Sequence, residues 1–112
     1  MRREARVSSL EQEFATLETD VQALIGLLQE AEETFWSNTI ARGLRKVQAQ
    51  KLAGATYILG CYGGEDTFSD LVIGERFSRS EPLRYRNLNA RLSYLRTRTF
   101  ESANAITARR SW

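Results

Sequence analysis

The sequence predicts an all-α fold, a small bundle of four main helices. Three observations lead there. Apolar residues recur in alternating steps of three and four over much of the chain, the period of a helix face packed against another helix. Pro82 is the only proline, so nothing interrupts the long periodic segments. The least regular composition falls in one stretch between periodic segments. At 112 residues the chain has room for one domain with one modest core. We therefore expect a single helical domain over 1–112, frayed at 1–7 and 111–112. Its helices lie at about 8–33, 34–50, 52–62 and 83–110, with an irregular 63–82 connection.

The first helix is the most strongly marked. Ser8 and Glu11 have the spacing of a capping box, which predicts a start at Ser8. Leu10, Phe14, Leu17, Val21, Leu24, Leu28 and Ala31 then form a seam. Ile25 and Leu27 widen it, and Gly26 offers a close approach to a neighbouring helix. In the second helix Thr34 is the expected cap, and Trp36, Ile40, Leu44 and Val47 form the apolar face. Ala55, Ile58, Leu59 and Tyr62 do the same for the short third helix, which Gly63 is expected to close in a left-handed conformation. Phe35 and Trp36 are both read as core.

The connection reads as structural. Phe68 should plug the core, and Asp70 should cap a short turn whose apolar residues, Leu71, Val72 and Ile73, re-enter it. Either Thr67–Asp70 starts one helical turn or Leu71–Ile73 forms a short extended piece, and the sequence leaves the two open. Residues 74–82 read as loop. In the last helix the seam runs Tyr85, Leu88, Leu92, Leu95, Thr99, Ser102 and Ile106. It turns polar at Thr99 and Ser102, so packing should weaken toward the C-terminus. Trp112 is expected to be exposed.

Composition narrows the chemistry. There is no histidine, which removes Ser–His and Cys–His pairs and imidazole metal ligands. No apolar run is long enough to span a bilayer, and no apolar segment of the signal-peptide kind follows Met1-Arg2-Arg3. The single cysteine, Cys61, fits a reducing compartment and is read as a buried, inert thiol. The expectation is a soluble cytoplasmic protein.

Charge is strongly segregated. Seven acids and no base lie between Glu11 and Glu33, whereas seven arginines and one acid lie between Arg84 and Arg110. Glu13 and Asp20 flank one side of the first seam, and Glu11 and Glu18 the other. Arg91 and Arg98 lie beside the seam of the last helix, with Arg96 on its opposite flank. These are positions for interhelical ion pairs, within one chain or across a dimer. The rival reading is a nucleic-acid surface formed by Arg84, Arg86, Arg91, Arg96 and Arg98 with Tyr85 and Tyr94.

Gly60, Gly63 and Gly64 match neither a dinucleotide fingerprint nor a phosphate loop, because no strand precedes them and no Lys-Ser or Lys-Thr follows. Glu65, Asp66, Asp70 and Glu75 crowd the same connection. Their spacing is not that of an EF-hand, so a solvated acidic loop is expected rather than a Mg²⁺ or Ca²⁺ site. No cofactor and no metal are expected.

Tyr62-Gly63-Gly64, Thr67-Phe68 and Asp70-Leu71-Val72 together resemble the Tyr-Gly-Gly-x-x-Ser/Thr-Phe-x-Asp-Leu-Val motif of a small uncharacterised bacterial helical family. The resemblance covers about Leu24 to Ile73, including the Trp36-led helix. It departs at Glu65-Asp66, where the family usually has Met-Gly, and at Ser69, where it usually has Asn. It implies a helical fold only and carries over no residue role. Small helical domains without a catalytic constellation are usually binders. The leading expectation is thus a non-enzymatic protein-binding module, most specifically an immunity protein that occludes a toxin's active or substrate-binding site. Glu65, Asp66, Asp70 and Glu75, or the acidic first helix, would meet a basic cleft on the toxin. The alternatives are a homodimeric structural or adaptor bundle, and nucleic-acid binding through the last helix.

Overall fold

A computed structural model describes residues 2–63 and 67–109, with side chains from Ser9 onward. Among the described residues there are four α-helices, two single 3₁₀ turns and no strand. They are α1 (Arg2–Glu30), α2 (Thr34–Gln48), α3 (Leu52–Gly60) and α4 (Pro82–Thr107), with the turns at Phe68–Asp70 and Glu75–Phe77. The molecule measures 55 × 25 × 21 Å, and α1, about 43 Å long at 1.5 Å per residue, accounts for most of its long axis. α1 packs on both α2 and α4, and α3 packs on the same two, so the four helices close a ring.

The core lies where the spacing placed it. Phe14, Leu17, Val21, Leu24 and Leu28 of α1 are buried against Ile40 and Val47 of α2, Ala55 and Ile58 of α3, and Leu88, Leu92 and Ile106 of α4. Phe68 is fully buried, as the plug reading requires. The C-terminal half of α4 does not loosen. Thr99, Ala103 and Ile106 are all buried. α1 is long enough to cover them, and Ala103, which the heptad count passed over, supplies the small apolar surface between them.

Several boundaries differ from expectation. α1 begins at Arg2, so Ser8 lies inside the helix and not at its N-cap. α1 stops at Glu30, three residues early, because Glu32 turns left-handed at φ 60°. The N-cap of α2 is then Glu33, with no side-chain capping bond, and Thr34 is the first helical residue. Gln50 at φ 55° ends α2 in the same way, at Gln48. A non-glycine residue in this region is uncommon, which is why neither stop is marked in the sequence. α3 ends at Gly60, and Gly63 is not left-handed. Among the described residues the one glycine at positive φ is Gly74, at φ 69°.

Gly26 is exposed and nothing approaches it. The close approaches are at Gly43 and Gly54, where α2 and α3 cross. A Cβ on Gly43 would lie 2.6 Å from Cδ1 of Tyr57, and one on Gly54 2.6 Å from the backbone nitrogen of Val47. Side chains at both positions would force the two helices apart. Tyr57 also donates its hydroxyl to the carbonyl of Thr39 at 2.8 Å, tying the same crossing.

Candidate functional site

The segregated charge of the sequence is largely consumed inside the fold. α1 and α4 run antiparallel, and their ion pairs step along the contact: Glu13 with Arg109, Asp20 with Arg98, and Glu30 with Arg91. Asp20 is buried and also accepts the Ser102 hydroxyl at 2.8 Å. Ser102, read from spacing as a weak point of the seam, is thus one of its polar links. Glu32 pairs with Arg76, and Glu18 accepts from Gln22 and Gln48. Arg84 pairs with Glu81 and lies over the Phe77 ring. Of the five arginines in the nucleic-acid reading, only Arg86 has no charged, hydrogen-bonded or ring partner among the described residues.

Arg96 does something the charge pattern did not predict. Its Nη1 donates to the carbonyls of Phe68 and Leu71, both at 3.0 Å, and meets no carboxylate. The guanidinium closes the 3₁₀ turn from the side of α4. Asn89 acts similarly one level higher. Its Oδ1 accepts from the Ile73 N–H at 2.9 Å, and its Nδ2 donates to the Ile73 carbonyl at 2.8 Å. One side-chain amide therefore satisfies both backbone groups of a buried residue that has no neighbouring strand. The second Nδ2 proton reaches the Tyr85 carbonyl at 2.9 Å. Gly74 follows at positive φ, and a Cβ there would lie 2.7 Å from Cδ1 of Leu88.

Aromatic rings hold the connection from its other side. Phe68 contacts Trp36 with ring centroids 5.3 Å apart and Tyr62 at 5.4 Å, and Tyr62 contacts Phe100 at 5.3 Å. The Tyr62 hydroxyl donates to the Arg96 carbonyl at 2.7 Å, and the Ser69 hydroxyl to the Tyr62 carbonyl at 2.6 Å. Burial pushes the Tyr62 phenol well above its ordinary range, against the smaller opposing effect of Arg96. Cys61 is half-buried rather than buried. Its thiol donates to the Tyr57 carbonyl, and burial raises its pKa, which disfavours the thiolate.

The segment so held faces solvent along a groove of about 300 Å³ lined by Trp36, Thr67, Asp70, Leu71, Val72 and Glu75. Its geometry follows from the 67–73 path. After the turn at Phe68–Asp70 the chain becomes extended at Leu71, so Phe68 and Ile73 point inward while Val72 is 44% exposed. Asp70 closes the turn instead of capping it, and Thr67 occupies the cap position. Asp70 and Glu75 are exposed at the groove, and neither carboxylate has a partner among the described residues. Phe35, expected in the core, is 68% exposed and stands edge-on to Trp36 at 5.2 Å. It occupies the outward side of α2, a turn away from the buried Ile40.

The structure thus brings together two of the four acids singled out from sequence. Glu65 and Asp66 lie outside the described residues. Among those described, no cluster of three or more Cys, Asp or Glu is placed to hold a metal ion, and no helix is long and apolar enough to cross a membrane. Asn89 and Arg96 are the positioning residues that sequence reading missed. The available signal was a polar side chain on the flank of a seam in a long helix. No known family, curated protein or solved structure matches the chain.

Proposed function

We propose that this chain is a non-enzymatic protein-binding module that works through the groove between Trp36 and Glu75. One observation carries the reading. A groove held from both sides presents exposed apolar surface at Val72, beside Trp36, next to two carboxylates that are unpaired among the described residues, Asp70 and Glu75. Protein interfaces pair a desolvated aromatic or aliphatic centre with a polar rim that selects the partner by charge. The acids of α1 are less suited to this work, because Glu13, Asp20 and Glu30 already bind arginines of the same chain.

In its most specific form the module is a cytoplasmic immunity protein. It neutralises a bacterial toxin by laying this acidic groove over a basic active or substrate-binding cleft. The motif resemblance through Tyr62-Gly63-Gly64 and Asp70-Leu71-Val72 supports a bacterial setting, and complementary charge would give fast, selective association. The test is recovery of the native protein from its host with whatever is bound to it. A toxin as partner, lost on Asp70→Lys/Glu75→Lys, is the expected result. Recovery without any bound protein would overturn the reading.

A homodimeric bundle is the second reading. It is favoured by a depression of about 360 Å³ on α4, lined by Ala90, Arg91, Tyr94 and Leu95, with Tyr94 61% exposed. Light scattering at high micromolar concentration decides it, since a monomer there removes the dimer.

A further inference from the structure

Among the described residues most of the unpaired positive charge lies off α4, where Arg86 alone is left without a partner. It is on α2 and the turn that follows, where Arg42, Arg45, Lys46 and Lys51 are exposed and none has a carboxylate partner among the described residues. No acid occurs anywhere between Thr34 and Gly64. On α2, positions 35, 38, 42 and 45 advance by three, four and three, so Phe35, Asn38, Arg42 and Arg45 share one outward stripe opposite the buried Ile40 and Val47. The same stripe borders a depression of about 640 Å³ lined by Asn38, Ala41, Arg42, Leu44, Arg45 and Gln48. Phe35 stands at the N-terminal end of the stripe, 68% exposed.

We propose that this stripe binds single-stranded nucleic acid. Arg42 and Arg45 would lie along the phosphates with Lys46 and Lys51 beside them, Asn38 would offer its amide, and Phe35 would give a face on which a base can stack. Two features favour a polyanion over an acidic protein. A protein interface needs a desolvated apolar centre, and Phe35 is the one large apolar side chain on the stripe. A polyanion needs only aligned cations and a stacking platform, because release of counterions from its backbone drives binding. This surface is separate from the groove at Asp70 and Glu75, so either can fail without the other.

The experiment is fluorescence anisotropy with a labelled single-stranded oligonucleotide of about 20 nucleotides, a length exceeding one typical site. Polyglutamate serves as competitor, and circular dichroism checks each variant's fold. Affinity should fall with salt, with a log–log slope of about −2 to −3 if three or four phosphates are neutralised. Arg42→Glu/Arg45→Glu should weaken binding by at least about tenfold and flatten that slope. Phe35→Ala should weaken it by about fivefold or more with the slope unchanged, because stacking releases no counterions. Arg86→Glu, on α4, should change little. Absence of binding at low salt would overturn the proposal. So would equal sensitivity to Arg86→Glu, or displacement of the oligonucleotide by polyglutamate at matched charge.

Discussion

On α4, Arg91, Arg96 and Arg98 reach Glu30, the carbonyls of Phe68 and Leu71, and Asp20; on α2, Arg42 and Arg45 reach no carboxylate among the described residues. The two helices differ in what is packed against them. α4 lies antiparallel to the acidic α1 and beside the connection, so its flanks meet acceptors. Arg42 and Arg45 occupy the outward side of α2, opposite the buried Ile40 and Val47. Arginine density along the chain therefore misleads about where charge is available to a partner. Density is highest where the charge is already used to hold the molecule together, and the sparser set is the one left open.

This contrast can be broken at several points. The largest effect belongs to the plug that the α4 side supports. Phe68→Ala should cost about 3–5 kcal/mol by chemical denaturation, because the ring is fully buried between Trp36 and Tyr62. A cost below about 1 kcal/mol, the usual surface range, would mean the connection is not part of the core. Arg96→Ala comes next, at about 1.5–3 kcal/mol, since it removes two charge-assisted bonds to part-buried carbonyls. Arg96→Lys should recover only part of this, as an ammonium lacks the planar fork.

Thr99 sharpens the same comparison with opposite sign. Its hydroxyl is buried with no hydrogen-bond partner among the described residues. Thr99→Val keeps the shape and removes the unsatisfied group, so thermal unfolding should show a gain of about 1 kcal/mol. A loss would point to a bound water on that hydroxyl. The pH dependence follows from Tyr62 and Cys61. Both have raised pKa values in the folded chain, so the folded state holds their protons longer than the unfolded one. The stability they contribute is complete below their ordinary values of 9.0 for Cys61 and 10.0 for Tyr62, and it declines as pH rises above them. Denaturation midpoints should therefore fall above about pH 9, and Tyr62→Phe should flatten the upper part of that fall. The smallest effect completes the contrast. Arg42→Ala and Arg45→Ala should each stay within about 0.5 kcal/mol of the parent stability, since neither side chain holds anything in the fold.

The helices and their buried faces were legible because period and spacing record them directly. Leu17, Val21, Leu24, Ile40, Val47, Leu88 and Leu92 all fall inside as counted. The partnering of α1 with α4 was legible from charge for the same reason. What was not legible depends on backbone that no residue type announces. Glu32 and Gln50 take left-handed conformations without being glycine, while Gly63, which looked suited to one, does not. At the groove, Phe68 announced itself as a buried aromatic within a polar stretch, and Asp70 and Glu75 as acids in a connection. That the two share one groove with Trp36 depends on Arg96 and Asn89, whose partners lie 16 to 28 residues away in sequence. Phe35 was misplaced because adjacent aromatics on a helix point about 100° apart, and Trp36 took the inward position.

The stitching of the connection by Asn89 and Arg96 sets an order of assembly during synthesis. Residues 67–73 leave the ribosome before the helix that supplies those two side chains. Until α4 follows, Ile73 has neither of its amide contacts, and Phe68 has Trp36 and Tyr62 but no lid. The α4-facing seam of α1 stays uncovered over the same interval. A nascent chain paused before residue 89 would thus expose these two apolar surfaces together, and α4 is the element that covers both.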